Sequence, residues 1–193
     1  MTTHKYDPAN MDRLLGSERY EQLDIQRIFS LLPLTHYQTV ADIGCGPGFF
    51  TIPLGKFLWE GKVYAMDIQE EMLETCRHRV NEAGLANVQV ILNGETQFPL
   101  GLGSLDGALV SQVLHSQINK ATFLKTVKDL LKPGGWLAFI NWHLVTEPTQ
   151  GPPAERRISK EDVLHLAKEA GLGMILHREL AEELYLLVLR KSI

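Results

Sequence analysis

The chain has 193 residues, 45% of them hydrophobic, and its 19 basic and 23 acidic side chains give a formal charge of −4. That length can bury a core of its own and is most simply one domain, and the mild acidity argues against nucleic acid as a partner. The N-terminal MTTHKYDPAN lacks the apolar stretch of a signal peptide and no apolar run is long enough to span a bilayer, so neither a membrane nor an export route is expected.

From Leu23 to Leu32 the apolar Ile25, Ile28, Phe29 and Leu32 keep the spacing of a helix with one buried face, ended by Pro33. Thr39 to Ile43 is β-prone, and Gly44, Gly46 and Gly48 follow on the crossing into the next helix, where a missing Cβ lets backbone approach a ligand closely. Phe50, Leu54, Phe57 and Leu58 continue as a helix, and Pro53 fits only in its first turn, so that helix starts near the glycines with its positive end toward a ligand. Lys62 to Met66 is a second strand, and Asp67 follows Gly46 by 21 residues, where a carboxylate can accept both hydrogen bonds of a ribose diol. A helix from about Gln69 turns Met72, Leu73, Cys76 and Val80 inward and stops at Gly84.

Val88 to Leu92 reads as a third strand, and Asn93, Gly94 and Glu95 make a turn after it. Ser104 to His115 is the fourth apolar element, Lys120 to Leu131 an amphipathic helix, and Pro133 with two glycines leads into a strand ending near Ile140. The one loop-like stretch, TEPTQGPPA from Thr146 to Ala154, precedes a helix whose start is marked by Ser159 and Asp162 as a capping box and by Ile158 against Val163 as a staple. Gly171 stops that helix. Met174 to Leu180 and Leu184 to Arg190 are two β-prone runs joined only by Ala181, Glu182 and Glu183, too short a link for a crossover, so they pair antiparallel. Arg77 to Arg79 and the pair Arg156 and Arg157 read as solvated surface. Cys45 and Cys76 lie outside any CxxC spacing and cannot make a disulfide framework, which suits a reducing cytoplasm, and no histidine spacing suggests a metal site.

The segment VADIGCGPGFFT, from Val40 to Thr51, has phenylalanine, Phe49, where a dinucleotide fingerprint has its third glycine. Its DxGxGxG pattern instead resembles the first motif of class I S-adenosylmethionine-dependent methyltransferases, and the elements up to Ile140 follow that family's order over roughly half the chain. The core is similar to the quinone methyltransferase branch. The resemblance implies an α/β fold: a single Rossmann-like, doubly wound, seven-stranded sheet, mostly parallel, its last strand antiparallel beside strand 5, with helices on both faces. Residues 1–34 would form an N-terminal helical cap, 35–145 the cofactor-binding core, and 146–193 a helix plus the closing hairpin.

S-adenosyl-L-methionine is then the expected cofactor, and the expected reaction is in-line displacement of its methyl group onto a small-molecule acceptor. The cofactor-binding residues would be Asp42, orienting the glycine turn and the cofactor's amine; Gly44, Gly46 and Gly48; Asp67 and Ile68 at the ribose; Asn93, Gly94 and Glu95 at adenine, with the Asn93 amide on the exocyclic amine and the Gly94 N–H on a ring nitrogen; and Ser111 and Gln112 near the methionine portion. His115 and His143 are the side chains able to take a proton if the acceptor needs a base, with packing or substrate hydrogen bonding as their other role. Tyr6, Arg13, Arg19 and Tyr20 fall where many small-molecule methyltransferases place a lid, and Asn141, Trp142 and the Pro-rich loop would shape the acceptor wall. Two other readings share the sheet: a nicotinamide-dependent oxidoreductase, disfavoured by Phe49 and the closing hairpin, and a cofactor-binding protein that transfers nothing. The acceptor, its reacting atom and the choice between monomer and homodimer stay open at this level.

Overall fold

In the computed structural model, which describes residues 5–193, seven strands form one sheet: β1 Thr39–Ile43, β2 Lys62–Asp67, β3 Val88–Leu92, β4 Leu105–Ser111, β5 Leu131–Trp142, β6 Leu172–Ala181 and β7 Leu184–Lys191. Their order is β3-β2-β1-β4-β5-β7-β6, parallel from β3 through β5, with β7 antiparallel to both β5 and β6. The expected sheet, with its reversed last strand beside strand 5, is therefore present. The strand order reverses between β1 and β4, the switch point beyond whose carboxyl ends open α/β sheets hold their ligands.

Alternation along the strands sorts the core into two layers. Val40, Leu109, Ala138, Ile140 and Val188 face one side, with Ile28 of α2 (Ile25–Leu31) and Leu54 of α3 (Thr51–Phe57). Ala41, Val110, Leu137, Phe139 and Leu187 face the other, against Phe123 and Val127 of α5 (Lys120–Leu130) and Val163 of α6 (Lys160–Glu169). Leu73, Cys76 and Val80 of α4 (Glu70–Glu82) close over Ala65 and Cys45. Trp136 lies across β4, and a Cβ on Gly107 would come within 2.0 Å of its ring, so the widest side chain of the sheet is admitted by the smallest.

The predicted boundaries shift where capping overrides periodicity. The predicted run Leu23 to Leu32 is α2, which starts only after Asp24 accepts the Arg27 N–H at 3.0 Å, and the chain ahead of it divides into a 3-10 helix Pro8–Leu14 and α1 Ser17–Gln22. Helix α3 begins at Thr51, three residues past Gly48, with Pro53 third and so in its first turn, as expected. The Pro-Gly-Gly turn sits inside β5, because Leu131 already pairs with Leu105 before the chain leaves the ladder and rejoins it at Trp136 opposite Gly107. Ser159 caps α6 as expected, accepting the Asp162 N–H at 3.0 Å. Residues 1–4, the start of the expected cap, lie outside the described residues. Among the described residues no helix is long and apolar enough to cross a membrane.

Candidate functional site

The glycine turn is held from two sides. Gly44 and Cys45 donate their N–H groups to the Met66 carbonyl at 2.7 and 2.9 Å, which ties the end of β1 to the end of β2. The Gly46 N–H donates to Asp67 Oδ2 at 2.9 Å, and the Gln69 N–H donates to Oδ1 at 3.0 Å. Gly44 and Gly46 have φ of +73° and +52°, a left-handed backbone that side chains resist. A Cβ on Gly44 would strike Val113 at 2.2 Å, whereas one on Gly46 would point into open space bounded by Leu14 at 3.7 Å.

That space is a cavity of about 890 Å³, within the usual range for small-molecule sites. Of the residues expected at a cofactor, Gly44, Gly46, Asp67, Ile68, Asn93, Glu95, Ser111 and Gln112 line it together, and so does His115. Two buried oxygens on this wall, Asn93 Oδ1 and Ser111 Oγ, have no hydrogen-bond partner, although buried polar atoms are normally paired. Gln112 is the one described residue other than glycine with a positive φ, at 56°. It sits at the β4 end, its N–H donating to Ile140 O at 2.7 Å. Strain of this kind is concentrated at functional sites.

Four expected residues stand elsewhere. Gly48 turns toward α4, where its Cβ would meet the Cys76 sulfur at 3.0 Å. Gly94 keeps its N–H within its own turn, donating to Gln97 O at 2.9 Å, so that N–H is not offered to a ring nitrogen. Asp42 lies beneath the turn, accepting the Thr51 hydroxyl at 2.6 Å. His143 lies outside the cavity, its ring 2.5 Å from Glu179 and packed on Tyr185, because the β5 end turns it toward the closing hairpin.

Electrostatics connect the buried acid to the lid. Burial pushes the Asp42 carboxyl up to about 7, aided by nearby Asp67, while the Thr51 hydroxyl and Arg19 pull it back. Burial lowers the Arg19 guanidinium to about 10, against the pull of Asp42. Arg19 lines the cavity with its carbon head 4.9 Å from the Phe49 ring centre, and its Nε is buried without a partner. Burial also raises the Asp67 carboxyl, opposed by the N–H groups of Gly46, Gln69 and Ile68. The N-terminal segment is fastened at Tyr6, whose N–H donates to Gln69 Oε1 at 3.1 Å and whose carbonyl accepts from Gln69 Nε2 at 2.9 Å. Arg13 joins Tyr6 and Arg19 on the wall, while Tyr20 packs on Phe49 at 4.6 Å.

The opposite wall is built from Trp142 and residues 149–153. Arg157, expected on the surface, is instead buried, its side chain 0% exposed, and organises this loop. Its Nε donates to Pro152 O at 2.9 Å, Nη1 to His143 O at 2.9 Å and to Glu183 Oε2 at 2.6 Å, and Nη2 to Gln150 O. Burial pushes the Glu183 carboxyl up, but donors on Thr149 and Arg157 outweigh it and hold it below the usual range. Gln22 of α1 donates to the Gln150 side chain at 2.5 Å, closing the lid onto the loop. Gln22, Gln69 and Glu183 carry no signal in the sequence, because each side chain works through a partner many residues away.

A methyltransferase domain model matches residues 41–139. A SAM-dependent methyltransferase from Aquifex aeolicus, known from a crystal structure, is 31% identical, covers 96% of this chain and 99% of its own, and superposes with a TM-score of 0.90. The biotin biosynthesis bifunctional protein BioHC of Teredinibacter turnerae is 28% identical over 166 residues, 77% of this chain and 29% of that protein. The demethylmenaquinone methyltransferase of Geobacillus stearothermophilus is 35% identical over 95 residues, 49% of this chain and 41% of that protein. The matched part thus spans less than half the length of either of these two curated relatives.

Proposed function

The chain belongs to the S-adenosylmethionine-dependent methyltransferases, and from that premise we propose that it binds S-adenosyl-L-methionine and moves its methyl group to a small-molecule acceptor in the cytoplasm. The observation that carries this reading is the cavity wall at the sheet's switch point, where a bare Gly46 adjoins buried polar atoms that lack partners. The chemistry of those atoms fits the cofactor. Asn93 Oδ1 accepts, as an exocyclic amine requires, while the Arg19 guanidinium donates and carries charge, as an amino-acid carboxylate requires. Asp67 keeps lone pairs beyond the two backbone N–H bonds and can take a ribose hydroxyl.

When bound, the cofactor supplies a methyl group on a sulfonium that is its own leaving group. The residues of this chain then have to bind, orient and exclude water. Gly44 and Gly46 bring backbone close, Asp67 and Asn93 fix the adenosine end, and Ser111, Gln112 and Arg19 fix the amino-acid end. His115 is the histidine on the cavity wall and the side chain placed to hold or accept an acceptor proton. The lid and the loop at 149–153 exclude water. A small acceptor is supported by the size of the cavity and by relatives named as a demethylmenaquinone methyltransferase and a biotin biosynthesis protein.

The test has two stages. Calorimetry should show binding of S-adenosylmethionine and none of NAD(H). Incubation with fractionated metabolite pools should then release S-adenosylhomocysteine with one fraction. Binding without release from any fraction would favour a cofactor-binding protein that transfers nothing.

A further inference from the structure

The cavity wall beyond β4 and β5 carries charge of one sign. Between residues 113 and 156 no carboxylate lines the cavity, whereas Arg156 does. The acids on the cavity belong to its other walls: Asp67 holds two backbone N–H groups, Asp7 accepts the Ala9 N–H at 3.0 Å, and Glu18 accepts from Gln22 Nε2 at 3.5 Å. Arg156, expected on the surface, is half-buried and its backbone is pinned. Its N–H donates to Pro153 O at 3.0 Å, and the next N–H, that of Arg157, donates to Ala154 O at 3.0 Å beside the buried ion pair with Glu183. The Arg156 guanidinium itself has no hydrogen bond or ion pair among the described residues.

Gln117 stands two residues past His115, on the same cavity and only 7% exposed. Its N–H donates to Leu114 O at 3.2 Å and its carbonyl accepts from Lys120 Nζ at 2.9 Å, but its side-chain amide is bonded to no described residue. A buried side-chain amide normally has a protein partner, and here the cavity is what it borders. An unpaired cation on a fixed backbone and an unpaired amide thus flank the carboxyl ends of β5 and β4, across from the glycine turn on β1.

We propose that the methyl acceptor is an oxyanion, a carboxylate or a phosphate ester, which Arg156 holds by charge and Gln117 by hydrogen bonding. Its role as acceptor rests on the transfer reading above; the anion site stands on Arg156 and Gln117 alone. The cofactor's own charge favours an anion. Its sulfonium and ammonium outnumber its single carboxylate, and Arg19 takes that carboxylate, so the loaded cavity gains positive charge while Arg156 stays unanswered. A neutral acceptor leaves the guanidinium without a counter-charge, whereas an oxyanion offers it two oxygens in the geometry of its fork. The amide can donate to the same group or accept from a neighbouring hydroxyl. An analogue without the acid leaves both side chains unpaired, which is how a site built for hydrogen bonding rejects the wrong molecule.

The experiment titrates the full-length protein, saturated with S-adenosylhomocysteine so that Arg19 is engaged, with benzoate, phenyl phosphate and the neutral benzamide, and follows arginine side-chain NMR signals. One signal, assigned to Arg156 by its loss in Arg156→Met, should shift saturably with benzoate or phenyl phosphate and not with benzamide, while that of the exposed Arg178 stays put. The tighter of the two anions identifies the acid. Arg156→Met should weaken its binding about tenfold or more, Arg156→Lys should restore part of it, and added salt should weaken the wild type toward the variant. In the transfer assay, the metabolite fraction that releases S-adenosylhomocysteine should be one retained on an anion-exchange column, and Arg156→Met should raise its KM while leaving kcat near that of the wild type. Equal shifts with benzoate and benzamide, unchanged benzoate affinity in Arg156→Met, or an active fraction in the column flow-through would each overturn the proposal. If no fraction releases S-adenosylhomocysteine, the transfer reading fails, while the benzoate titration still decides whether the anion site exists.

Discussion

The two ends of the cavity are made in different ways. At the β1–β2 end the wall is mostly backbone: successive N–H groups from residues 44–46 and 69 converge on Met66 O and Asp67, all within a single strand-helix-strand unit. At the β5 end the wall is made by side chains that meet from afar, with Arg157 joining residues 143, 150, 152 and 183, and Gln22 reaching residue 150 across 128 positions. A backbone cradle suits a ligand that does not change, because few substitutions leave it intact. A wall of side chains, hung on one buried ion pair and one amide contact, can be rebuilt for a different acceptor while the first end stays as it is.

If this division is real, the ends can be broken separately. The largest effect is expected from Gly46→Leu, which places a side chain in the gap between the turn and Leu14. Cofactor binding should vanish in calorimetry, at the cost of about 1–2 kcal/mol in urea unfolding from the left-handed backbone. Retained affinity would mean that the ligand lies elsewhere.

Arg157→Met attacks the other end. It leaves Glu183 buried without its cation, and removing one partner of such a pair costs about 3–5 kcal/mol. Residues 146–157 should become protease-sensitive and transfer should drop, while affinity for S-adenosylmethionine stays within about twofold, a change of under 0.5 kcal/mol. A fall in cofactor affinity as steep as that of Gly46→Leu would show that the two ends are one unit.

Asp42 tests how the cradle responds to its ligand. Burial pushes its carboxyl up to about 7 in the fold from an ordinary value of 3.8, so the native state holds more protons between those limits. Its contribution therefore makes the ligand-free protein lose stability as pH rises from about 4 to about 7, by up to about 4 kcal/mol. Asp42→Asn should flatten that limb in pH-dependent urea melts. If the cofactor's ammonium draws on the ionised Asp42, wild-type affinity weakens below pH 7 and the variant's does not.

How much of this was legible follows from the same contrast. The DxGxGxG turn, Asp67 and Asn93 could be read from sequence because their geometry is local: a strand end, a glycine where φ is positive, an acid on the next strand. The hairpin was legible because the two residues between β6 and β7, Glu182 and Glu183, permit no crossover. Gly48 was expected at the cofactor, but spacing alone does not say which face of the turn a missing Cβ opens, and here it opens toward Cys76. The Gly94 N–H was expected at a ring nitrogen, but the residue types do not show that the Gln97 carbonyl, three residues on, takes it within the turn. Arg157 read as surface because a buried arginine is recognisable only by its partner, and Glu183 looked like part of a hairpin link. Arg19 could be placed in a lid, but its unpaired Nε against the cavity appears only once Phe49 is beneath it.

The smallest effect expected, and the sharpest for the cradle, is that of Asp67→Ala. Asp67 holds the Gly46 and Gln69 N–H groups and faces the cavity, so its loss removes a scaffold and a ligand contact together. Affinity for S-adenosylmethionine should weaken by about 1–3 kcal/mol, the cost of unpairing buried polar groups. An analogue of the cofactor lacking the ribose hydroxyls separates the two roles. If Asp67 grips the ribose, the analogue binds the wild-type protein more weakly than the natural cofactor does, and the substitution costs it less. If Asp67 serves only to brace the turn, the substitution costs both ligands equally, and the carboxylate belongs to the scaffold rather than to the sugar.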